Sequence, residues 1–222
     1  MSQTESTEKY GFDAHGYLRR ARARLDEGTQ EALFYAAFEL RSGVEARMRG
    51  YLEFQDEVSK KVKEGYRINV LGKAISNIFE IGDKVAEFSF YRSQPRVKLG
   101  KLYYTPVTSA LQGYASRMGD LLHVPNVYHP PDDPWWDETR QMLEEMWIEL
   151  ARSCAGRLMG LPLISPEGQM SLYAEADDDQ PCEQCRLEFA KMCDHGFALL
   201  IVPIMLQMQP RPNPRRRDVT GY

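Results

Sequence analysis

Residues 29–52 read TQEALFYAAFELRSGVEARMRGYL, and this stretch decides the fold. Leu33, Ala37, Leu40, Val44, Met48, Tyr51 and Leu52 recur at steps of three and four, which sets them on one face of an α-helix. The other face alternates charge through Glu39, Arg41, Glu45, Arg47 and Arg49. Thr29 precedes the first apolar residues, where its hydroxyl can accept from the unpaired N–H groups of a helix start. The pattern is expected to continue to about Lys63, long enough to be the spine of a bundle.

On the N-terminal side, Tyr17, Leu18, Ala21 and Leu25 line one side of a helix expected over Phe12 to Glu27, and Gly28 breaks it. On the C-terminal side Gly65 stops the spine. A third helix follows from about Arg67 to Gly82, with Val70, Leu71, Ala74, Ile75, Ile78 and Phe79 as its stripe. Val85 to Arg92 and Val97 to Thr105 read as extended. Phe88 and Phe90 alternate with polar neighbours and Pro95 marks a turn, so a β-hairpin is expected. Pro106 opens a fourth helix that ends near His123, with Val107, Leu111, Tyr114, Met118 and Leu121 inward. A proline-rich loop leads to a fifth helix over about Trp135 to Met159.

The architecture expected is therefore mainly α: a bundle of about five helices over residues 1–160, with an inserted hairpin near 85–105. Gly160 to Pro166 reads as a hinge into a small mixed C-terminal unit, 161–210, holding a strand at Met170 to Ala174 and an apolar segment from Phe197 to Met208. A basic, disordered tail is expected over 211–222.

Composition limits the function classes. At 222 residues, 43% hydrophobic and 27% charged, the chain can bury a full core. The opening MSQTESTEKYGFD has no apolar run and is read as no secretory signal. The longest apolar stretch, Phe197 to Leu206, contains Pro203 and is too short to span a bilayer. A cytoplasmic chain with reduced thiols and no membrane partner is expected. The net charge of −4 leaves any nucleic-acid role to local patches. One patch, Arg19, Arg20, Arg22 and Arg24, is read as a solvated helix face balanced by Glu27 and Glu31. The other, Arg215 to Arg217, belongs to the tail.

Three of the four cysteines and one histidine fall in the order C-x2-C-x7-C-x-H: Cys182, Cys185, Cys193 and His195. Two thiols two residues apart can share one turn, and a Cys/His pair further on can close a tetrahedron around a structural zinc ion. Buried thiols or a redox dithiol are the alternatives.

No strand-borne glycine-rich phosphate loop, G-x-S-x-G or H-E-x-x-H is present. Carboxylate pairs such as Asp132 with Asp133 and Glu144 with Glu145 read as solvated surface. His15 reads as surface, and His129 as a loop residue held among prolines. Trp135 and Trp136 are read as a hydrophobic anchor at a helix start, with base stacking as the alternative.

Helix four ends in RMGDLLH, residues 117–123, which sets five residues between Arg117 and His123. This resembles the R-x(4–6)-H signature of the HEPN superfamily, helical bundles that are often ribonucleases of bacterial toxin, abortive-infection and antiviral systems. The amphipathic helix at 33–41 looks like the helix that precedes the motif helix in such bundles. The resemblance covers about the first 160 residues. It implies a homodimer with a shared, metal-independent site for RNA. Arg117 would bind the scissile phosphate through its planar fork, and His123 would move the protons. A non-catalytic scaffold that engages a protein partner is the rival from a different class. A basic cleft shared by Arg117 and His123 would favour the enzyme, and exposed aromatic or methionine surface the scaffold.

Overall fold

The computed structural model describes residues 11–92, 97–124, 127–161, 163–164, 170–175 and 199–206. Its helices are α1 (Ala14–Glu27), α2 (Gln30–Glu53), α3 (Lys60–Lys63), α4 (Ile68–Phe79), α5 (Ser109–Leu122) and α6 (Trp135–Cys154). The strands are β1 (Val85–Arg92), β2 (Val97–Tyr104), β3 (Leu163–Ile164), β4 (Met170–Ser171) and β5 (Leu199–Leu206). The mainly α bundle with a β-hairpin expected from the sequence is what forms.

Local chemistry sets the helix ends. Asp13 caps α1, its carboxylate accepting the His15 and Gly16 N–H groups at 2.9 and 2.8 Å. Gly28 turns the chain at φ 73°, and the Thr29 hydroxyl accepts the Ala32 N–H at 3.2 Å to start α2. Thr108 caps α5 in the same way through Leu111. The spine is shorter than its charge pattern implies: α2 stops at Glu53, and Lys60–Lys63 forms a separate single turn. The cause lies in the stripe. Three and four residues beyond Leu52 stand Gln55 and Asp56, so no apolar side chain continues the buried face.

α2 touches α1, α4, α5 and α6. Leu40, Val44, Met48, Tyr51 and Leu52 are wholly enclosed, together with Leu18, Leu71, Leu111, Met118 and Leu143 from the surrounding helices. The closest approach is at Gly43. A Cβ there would lie 2.8 Å from Leu150 Cδ2 and 3.1 Å from Tyr17 Cβ, so α1, α2 and α6 meet across a position with no side chain.

β1 and β2 pair antiparallel from Ala86↔Tyr104 to Arg92↔Val97, with an irregularity between Phe90 and Tyr91. Ala86, Phe88 and Tyr104 enter the core. The opposite face carries Glu87, whose carboxylate accepts from Tyr103 Oη at 2.6 Å, Ser89 Oγ at 2.9 Å and Lys101 Nζ at 3.4 Å. β5 lies parallel to β1, from Val85↔Leu199 to Arg92↔Leu206, giving the sheet order β2-β1-β5. Part of the apolar segment assigned to the C-terminal unit thus extends the hairpin of the helical body. Among the described residues no helix is long and apolar enough to cross a membrane.

Candidate functional site

α5 buries Leu111, Ala115, Met118 and Leu121, which leaves Arg117 on its outer face. The Arg117 guanidinium lies 4.8 Å over the Tyr114 ring. Tyr114 in turn donates to Glu145 on α6 at 2.6 Å, and this bond holds the Glu145 carboxyl below its ordinary value. His123 follows the last helical residue. Its N–H closes the helix on Gly119 O at 3.1 Å, and its backbone leaves in extended conformation with the side chain exposed. Six residues of helix amount to about 9 Å of rise and 120° of rotation. Among the described residues no hydrogen bond, ion pair or ring contact joins Arg117 to His123. Each reaches solvent, and the structure does not bring them into contact.

α5 and α6 run antiparallel, since Thr108 meets Glu149 and Tyr114 meets Glu145. The end of α5 therefore lies beside the start of α6, where His129, Pro130 and Asp133 pack on Trp135 and Trp136. Here the aromatic residues converge. A cavity of about 370 Å³ is lined by Gln30 and Phe34 of α2, by Val127, Tyr128, His129 and Pro131 of the loop, and by Trp135 and Trp136 of α6. Trp136 meets Phe34 edge-on at 6.0 Å and donates its Nε1–H to Pro130 O at 2.9 Å. Trp135 stands edge-on to Trp136 at 4.8 Å. The pair anchors the helix start, as the sequence reading has it, and also walls a pocket.

His129 is not held by prolines. It stacks flat on Trp135 at 4.2 Å, with 5° between the planes, and its Nδ1 lies 2.9 Å from Asp133 Oδ2. A carboxylate can only accept, so the Nδ1 proton points to Asp133. The other Asp133 oxygen accepts the Trp135 N–H at 2.9 Å. That backbone bond, and then His129, hold the Asp133 carboxyl below its ordinary value. Tyr128 is 82% exposed beside this mouth.

A second cluster lies deep in the bundle. Arg47, 1% exposed, donates from Nη1 to Glu175 Oε1 at 2.5 Å, from Nε to Tyr51 Oη at 2.8 Å and from Nη2 to Gly156 O. Tyr51 donates onward to Thr105 O. His15, expected at the surface, is 6% exposed, with Nε2 3.4 Å from Glu175 Oε2. Burial, the largest single influence, raises the Glu175 pKa, but Arg47 and His15 together outweigh it and hold the carboxyl below 4.5. Each guanidinium nitrogen of Arg47 meets protein, so this cluster ties α1, α2 and the segment at Glu175 together and has no room for a substrate. The basic residues of α1 are likewise spent on partners. Arg20 bonds Glu39 at 2.9 Å, Arg22 bonds Glu144 at 2.5 Å, and Arg24 bonds Glu27 at 2.5 Å.

Cys182, Cys185, Cys193 and His195 lie outside the described residues. Among the described residues no group of His, Cys, Asp and Glu is set to hold a metal ion. No family model, no curated protein and no solved structure matches the chain.

Proposed function

We propose that the chain is a helical binding protein that engages a protein partner with the aromatic end of its bundle. The pocket walled by Phe34, Tyr128, Trp135 and Trp136 carries this reading. Val127 and Tyr128 of this lining are exposed, and α2 also exposes Tyr35 and Phe38. Exposed apolar surface at a pocket marks interaction sites, and aromatic rings dominate the energetics of partner docking. The test is selection from a displayed peptide library by the intact chain and by Tyr128→Ala. The reading expects peptides enriched by the native chain and lost with the variant, which keeps its fold because Tyr128 is exposed. Equal enrichment by both proteins, or none by either, overturns it.

A second reading rests on a different observation. Arg117 and His123 both reach solvent at one helix end, with the Arg117 guanidinium over the Tyr114 ring. In this reading the chain is a HEPN-like, metal-independent endoribonuclease of a bacterial defence or toxin module. Arg117 binds the phosphate and His123 acts as acid and base. The pair is then completed across a homodimer, so light scattering should give twice the chain mass and RNA should be cut in the presence of EDTA. His123→Ala abolishes that cleavage, and Arg117→Lys impairs it by losing the bidentate fork. An intact dimer that leaves RNA uncut removes this reading. In both readings the chain works in the cytoplasm, and Cys182, Cys185, Cys193 and His195 are proposed to hold a structural zinc ion.

A further inference from the structure

Resting on the binding reading, we infer that the aromatic pocket takes an arginine side chain from a basic peptide of the partner protein. Ring faces carry partial negative charge and attract a guanidinium laid over them, and arginine is the cation that stacks on aromatic planes. Phe34, Tyr128, Trp135 and Trp136 supply the rings. A cavity of about 370 Å³ falls in the range of sites that enclose a small group.

The charge around the mouth selects among ring-stacking occupants. Exposed carboxylates flank the lining residues in sequence: Glu31 beside Gln30, Asp132 beside Pro131, and Asp137 and Glu138 directly after Trp136. None of these four makes an ion pair among the described residues. Two positive features stand against them. Arg140 donates to Leu25 O at 3.2 Å and Gly28 O at 2.6 Å and keeps its positive charge. The start of α6 contributes roughly half a positive charge, and Asp133 already accepts its Trp135 N–H. Four carboxylates against one guanidinium and about half a helix-end charge leave this sequence neighbourhood of the lining residues negative. A nucleotide, which brings phosphate to the same rings, is repelled there, whereas a guanidinium gains both the rings and a carboxylate partner.

The experiment titrates the full-length chain with a fluorescein-labelled peptide of alternating arginine and glycine, read by anisotropy and by tryptophan fluorescence. Controls are the same peptide with citrulline for arginine, which keeps the shape and loses the charge, and a single-stranded oligouridylate. Saturable binding of the arginine peptide is expected, with citrulline weakening it about tenfold or more. Asp132→Asn and Tyr128→Ala should each weaken it several-fold while melting curves stay unchanged. Citrulline binding as tight as arginine, oligouridylate binding in place of the peptide, or no binding at all overturns the inference. If the library selection instead returns apolar peptides that depend on Tyr128, partner binding stands and the arginine occupant falls.

Discussion

Arg47 stands in sequence among the alternating charges of α2, yet its guanidinium is enclosed by Tyr51, Gly156 and Glu175. Its placement was legible in part. Leu40, Val44, Arg47 and Tyr51 follow steps of four, three and four, so position 47 falls on the buried stripe and not opposite it. Its counter-ion was not legible, because Glu175 lies 128 residues away and no local pattern reports such a contact. A longer separation, 160 residues, hid the burial of His15, whose carboxylate partner is also Glu175. Glu175→Ala should cost about 3–5 kcal/mol in urea unfolding, since it strands a buried cation. Glu175→Gln, which keeps an acceptor, should cost less. The pH dependence has a definite sign. The folded Glu175 pKa lies below the ordinary 4.5, so its stabilisation is fully present above that value and is lost as pH falls through the folded pKa. Native protein should lose stability steeply in that acid window, and Glu175→Gln should flatten the loss.

The elements follow the sequence where period and caps agree. The hairpin shows in the alternation of Phe88 and Phe90, and Ala86, Phe88 and Tyr104 do face the core. Thr29 caps α2 as its position implies, and Thr29→Ala should cost about 1 kcal/mol in a thermal or urea melt. Gly43 needed the structure, because nothing local shows that Leu150 and Tyr17 close over it. Gly43→Val should cost more than the lost cap, by about 1–3 kcal/mol of overpacking. A Gly43→Val melt that matches the native protein would contradict the three-helix contact. The loop from Val124 to Pro134 was legible as a boundary and not as a site. Its pocket depends on Phe34 and Gln30, which are brought in from α2 about a hundred residues earlier in the chain, as the 101-residue span from Gln30 to Pro131 shows.

At the scale of the whole molecule, the mainly α bundle was legible, and the way the chain returns to it was not. β5 pairs with β1 although more than a hundred residues separate them, and a parallel partner leaves no turn signal beside either strand. Function is argued from the site alone, since the fold on its own does not imply one. The Cys/His motif carries its own check: purified protein should hold about one zinc per chain, lost on Cys182→Ser with Cys185→Ser. Metal-free protein with an unchanged melting temperature would remove that site.

The aromatic end as docking surface is the central claim, and hydrogen–deuterium exchange of the full-length chain with and without a selected peptide tests it most directly. Slowed exchange should appear at residues 30–38 and 127–138, where Phe34, Tyr128, Trp135 and Trp136 converge, and should vanish in Tyr128→Ala. Protection confined to the hairpin or to the outer face of α5 at Arg117, with residues 127–138 unchanged, would contradict it.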